Sequence, residues 1–114
     1  MGIDPDFAAD LARELPPEDY VRVLEMFRQD MNRLAGEMAA AARANDVDTF
    51  RRAAHGLAGA AGAVGAASLE AACRLAMSRR EVIVDLAATA ADIDRLSDAT
   101  LADIDAALER AKAR

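Results

Sequence analysis

PEDYVRVLEMFRQDMNRLAGEMAAAARA, residues 17–44, places apolar side chains at Tyr20, Leu24, Phe27, Met31, Leu34, Met38 and Ala41. The spacing alternates between four and three, the seam that one helix of an antiparallel bundle turns towards its neighbours. Pro17 suits the first helical position, and Glu18 and Asp19 lie favourably near the positive N-terminal end. The pattern predicts a helix over 17–44. Asn45-Asp46 breaks it, and Asp46 is a good N-cap for the next helix.

Working outward, a third helix is expected from Val47 to about Ala63, with the seam Val47, Phe50, Ala54, Leu57, Ala61 and Val64, and with Gly65 as its stop. A fourth helix, Ala66 to Arg80, carries Leu69, Ala72, Cys73 and Ala76 on one side. From Val82 to the end, Leu86, Ile93, Leu96, Leu101, Ile104 and Leu108 mark another helical segment, and a kink or break in it would fall at Ser97–Thr100. On the N-terminal side, Asp4 caps and Pro5 opens a short helix whose buried stripe is Ile3, Phe7 and Leu11, ending at Leu15 before Pro16-Pro17. The expected fold is all-α, an antiparallel up-and-down four-helix bundle with a short extra N-terminal helix.

Composition agrees. In 114 residues there is room for one domain, residues 1–114. About a quarter of the chain is alanine, the best helix former, and only 4% is aromatic, so an all-β or doubly wound fold is excluded. A net charge of −6 argues against nucleic acid as partner, since phosphate neutralisation needs clustered Lys and Arg. Cys73 is the only cysteine, which rules out an internal disulfide. MGIDPDF has neither the basic nor the apolar region of a signal peptide, and Asp6 stands where myristoylation wants Ser or Thr. No apolar stretch reaches membrane-spanning length without a charge. A soluble cytoplasmic domain is expected.

One helix departs from its neighbours. HGLAGAAGAVG, residues 55–65, holds Gly56, Gly59, Gly62 and Gly65 in a chain with alanine to spare. Each glycine inside a helix costs roughly 1 kcal/mol relative to alanine. The seam passes through Ala54 and Leu57, so His55, the only histidine, falls just outside it, towards solvent. Positions 51, 52, 58, 59 and 62 are three, four or seven residues away and neighbour it on the helix surface. Gly59 and Gly62 would form a bare floor beside the imidazole. Residues 51–80 carry a balance of +4 through Arg51, Arg52, Arg74, Arg79 and Arg80 against Glu70, leaving −10 for the rest. A local basic surface suits an anionic group on His55 or an acidic partner.

With His55, Leu57, Gly59, Val64 and Gly65, then Leu69, Cys73 and Leu75, the stretch resembles the histidine-containing phosphotransfer domains of bacterial two-component phosphorelays. The resemblance implies that His55 accepts a phosphoryl group from a receiver-domain phospho-aspartate and passes it to another receiver aspartate. The partners it implies are receiver domains and a sensor or hybrid histidine kinase. Magnesium would come from the receiver, so no cofactor or metal is expected here. The chain would act as a carrier rather than an enzyme, and a monomer is expected. One departure stands out: the family usually has Lys or Arg three residues after the histidine, and this sequence has Ala58. Arg51, Arg52 or Arg74 would then have to compensate.

Plainer explanations stand beside these. Lone surface histidines and arginines are mostly solvated surface, and Cys73 fits a small core position. Glycines also permit close helix packing, the simplest explanation at Gly65 and an open one at Gly56. Two rivals remain: the phosphoacceptor domain of a chemotaxis-type histidine kinase, and a receiver-binding or purely structural bundle without chemistry.

Overall fold

The computed structural model describes residues 2–78 and 85–113. Among them are five helices and no strand: α1 (Pro5–Glu14), α2 (Pro17–Arg43), α3 (Val47–Ala63), α4 (Ala67–Ser78) and α5 (Leu86–Lys112). Arg79, Arg80 and Val82, which fall in the fourth and last segments expected from sequence, lie outside the described residues. None of the described helices is long and apolar enough to cross a membrane.

Local chemistry sets the helix ends. The Asp4 carboxylate accepts from the Asp6 N–H at 2.9 Å, and Pro5 opens α1. Leu15, the C-cap of α1, is extended, as the residue before a proline prefers. α2 stops because Asn45 turns left-handed at φ 55°, letting the Asp46 N–H reach the Ala41 carbonyl at 2.8 Å and the Asn45 N–H reach Ala42 at 3.2 Å. α3 ends on the same device. Gly65 has φ 70°, the Ala66 N–H donates to Ala61 at 2.8 Å, and the Gly65 N–H donates to Gly62 at 3.2 Å. Asp85 caps α5 by accepting from the Ala88 N–H at 2.9 Å.

The seams fold as their periodicity requires. Tyr20, Leu24, Met31, Met38 and Ala41 are buried on α2, with Phe27 and Leu34 partly buried against the same core. α2 packs on both α3 and α5, α3 on α4, and α4 on α5, while α1 adds to α2. Phe7 meets Phe27 edge-on, with ring centroids 6.3 Å apart, which helps fix α1 against α2.

Two features depart from the sequence pattern. α5 runs unbroken through Ser97–Thr100, and both of those side chains are buried. The Thr100 hydroxyl donates back to the Leu96 carbonyl at 2.9 Å, whereas the buried Ser97 hydroxyl has no hydrogen-bond partner among the described residues. Packing has overridden a local tendency of Ser and Thr to compete with the helix. The second feature is the strap formed by residues 2–4. The Gly2 and Ile3 N–H groups both donate to Asp103 Oδ2, at 2.6 and 3.0 Å, and Asp4 lies against Gly65. This strap therefore links α5 to the turn between α3 and α4.

Candidate functional site

The site begins with the N-cap of α3. Asp46 accepts from the Thr49 N–H at 3.1 Å and from the Thr49 hydroxyl at 2.6 Å. These bonds, the hydroxyl's foremost, hold the Asp46 carboxyl below the ordinary carboxylate range, and Arg52 adds a weaker pull. From there α3 turns Phe50, Ala53, Ala54, Leu57, Ala58 and Ala61 into the core. Arg52, His55, Gly59 and Gly62 remain exposed on the other side. His55 is exposed and makes no hydrogen bond or ion pair among the described residues, so no structural partner occupies its ring.

The four glycines divide into different roles. At Gly59 nothing lies within 4 Å of where a Cβ would stand, so the surface one turn from His55 is bare. At Gly56 a Cβ would meet Leu34 Cδ2 at 3.1 Å, so the residue next to His55 serves the close approach of α2 and α3. Gly65 serves the left-handed turn. Gly62 is exposed but not open, because Glu70 Oε2 would stand 2.9 Å from its Cβ. The bare floor expected from sequence is therefore Gly59 alone, with Gly62 roofed by a carboxylate.

Ala58 also corrects the sequence expectation. It is 1% exposed and turns inward, so it cannot face a phosphoryl group or a partner. It lies one turn before Gly62 on a helix that packs against both α2 and α4, and its methyl is short enough to be enclosed. The three arginines differ as well. Arg74 donates from Nε and Nη2 to Glu70 Oε2, at 3.0 and 2.7 Å. Arg51 is half-buried and its Nε is enclosed. Arg52 is exposed and makes no hydrogen bond or ion pair among the described residues. The negative charge of Glu70, already subtracted in the balance of +4, thus falls on Arg74, while Arg79 and Arg80 lie outside the described residues.

Glu70 enters the sequence pattern only as a charge, although its spacing of four from Arg74 already signals the helical ion pair that forms. Cys73 is buried, and burial pushes its thiol up to about 11, which suits a core residue. Among the described residues no group of three His, Cys, Asp or Glu side chains is placed to hold a metal ion. A cavity of about 350 Å³ is lined by Ile3, Ala8, Tyr20, Asp103 and Arg110 among others, and no residue of α3 contributes to it.

A family model described as Hpt domain matches residues 22–114, from the first turns of α2 onward, and includes the whole of α3. The chain belongs to the Hpt domain family. Membership carries histidine phosphotransfer in two-component signalling, with receiver domains and kinases as the partners of such domains. The Hpt match leaves α1 and the strap outside its bounds. No curated protein and no solved structure matches the chain.

Proposed function

We propose that His55 is the phosphoacceptor of a phosphorelay intermediate. A ring nitrogen of the neutral imidazole attacks the phosphorus of an aspartyl phosphate on a receiver domain. The N–P bond forms as the acyl P–O bond breaks, the receiver's carboxylate leaves, and the phosphohistidine then passes its phosphoryl group to a second receiver aspartate. The observation that carries this is an exposed histidine, without a partner among the described residues, beside the empty surface at Gly59 and inside the segment that matches the Hpt family.

The chain is a carrier without turnover of its own, and magnesium and most of the transition-state charge stabilisation belong to the receiver's acidic pocket. The scaffold that goes with this is an antiparallel up-and-down bundle of α2 to α5, acting as a cytoplasmic monomer. The short turns after α2 and α3 and the order of neighbouring helices support that topology.

The test is intact mass after incubation with phosphoramidate or with a phosphorylated receiver, with His55→Gln alongside. The expected result is one acid-labile, alkali-stable phosphoryl group on the native chain and none on the variant. A folded native chain that takes up no phosphoryl group from either donor would sink the proposal.

A further inference from the structure

Resting on the assignment of His55, we propose that Arg52 is the cation that holds the phosphoryl group once His55 carries it, in place of a basic residue at position 58. The sequence leaves three arginines able to do this, and the structure separates them. Arg74 is bound through two nitrogens to Glu70, and that pair sits over Gly62, about two turns beyond His55. Using Arg74 would mean breaking the pair and leaving the Glu70 carboxylate close to a dianion. Arg51 is half-buried with its Nε enclosed, so it is less free than an exposed arginine to turn towards His55. Arg52 is exposed, on the same face as His55 and one turn before it.

Helix geometry gives that position its significance. Side chains on a helix lean towards its N-terminus, so the imidazole of His55 tilts over the turn that contains Arg52. A phosphoryl group added to the ring extends further in the same direction. Residues three apart have Cβ atoms about 5–6 Å from each other, which is within the span of an arginine stem. In the unphosphorylated chain the charge of Arg52 is felt by Asp46, the exposed cap of α3. Exposed interactions of that kind are weak, so the guanidinium can turn from Asp46 to a phosphoryl dianion at little cost. Ala58, a buried methyl, leaves that role vacant.

The experiment loads the full chain with phosphoramidate and titrates the phosphohistidine by ³¹P NMR at low salt. Arg52→Gln, Arg52→Lys and Arg74→Gln are compared with the native chain. Loss of a nearby cation should raise the phosphoryl group's second pKa by about half a unit to one unit in Arg52→Gln. Arg52→Lys should restore most of the shift, Arg74→Gln should titrate like the native chain, and salt should erase the differences. A native-like titration of Arg52→Gln, or an equal shift in Arg74→Gln, would overturn the assignment of Arg52 while leaving His55 as acceptor. A native chain that cannot be loaded at all removes the assignment of His55 first, and this one with it.

Discussion

The carboxylate of Glu70 rests on Gly62, with Oε2 2.9 Å from the point where a Cβ would stand, while one turn earlier Gly59 has nothing within 4 Å. Two glycines of the same helix face thus have opposite surroundings. Gly59→Ala adds helix propensity without touching anything and should raise stability by about 0.5–1 kcal/mol. Gly62→Ala must push Glu70 aside and disturb its pair with Arg74, so its gain should be smaller. Thermal melts of the two variants test this; equal gains would show that Glu70 does not rest on Gly62 in solution. Gly59→Leu should keep the fold and impair phosphotransfer from a receiver, because the bulk enters the space in front of His55.

Gly65 is constrained twice, by φ 70° and by the Asp4 Cβ at 2.5 Å from the position of its own missing Cβ. A side chain in the left-handed region costs roughly 1–2 kcal/mol before any clash is counted. Gly65→Ala should therefore lower stability by at least that amount and loosen the strap. Hydrogen exchange would show it at the Ile3 amide, which should lose protection relative to the centre of α2. An unchanged Ile3 amide would mean that the Asp4 contact does not hold the strap.

Acid should weaken the start of α3. The bonds from Thr49 hold Asp46 below its ordinary pKa in the folded chain, so the unfolded chain binds the proton more readily. The stability contributed by Asp46 is complete above the carboxyl pKa of the unfolded chain and is lost as pH falls through the lowered folded value. Urea midpoints measured from pH 6 to pH 2 should fall less steeply for Asp46→Asn than for the native chain. Parallel curves would show that the cap does not depend on the carboxylate charge.

Ser97 carries a hydroxyl into the core and finds no partner for it among the described residues. Burying such a group costs free energy that alanine avoids, so Ser97→Ala should be neutral or stabilising by up to about 1 kcal/mol. A denaturant titration is sufficient, and a clear loss of stability would mean that the hydroxyl is satisfied in solution.

Much of this molecule was legible in one dimension. The four-and-three spacing from Tyr20 to Ala41 and from Val47 to Val64 specifies helices and their buried faces, because burial on a helix repeats with its turn. Asp4, Asp46 and Gly65 mark helix ends through bonds made within a few residues, so they too can be read locally. His55 stands out for the same reason: one position from the seam is enough to place it on the exposed face.

What required the tertiary structure is contact between residues far apart in sequence. Ala58 is adjacent to His55 by spacing, yet it is buried, and helix spacing alone cannot say how far the packing of neighbouring helices reaches round α3. The roles of Gly56 and Gly62 were fixed by Leu34 and Glu70, and α5 runs through Ser97–Thr100 because the core encloses them. The strap on Asp103 joins residues about a hundred positions apart. Sequence determined which faces these helices offer, because periodicity is a property of a single helix; the packing of helices against one another decided which parts of those faces stay open around His55.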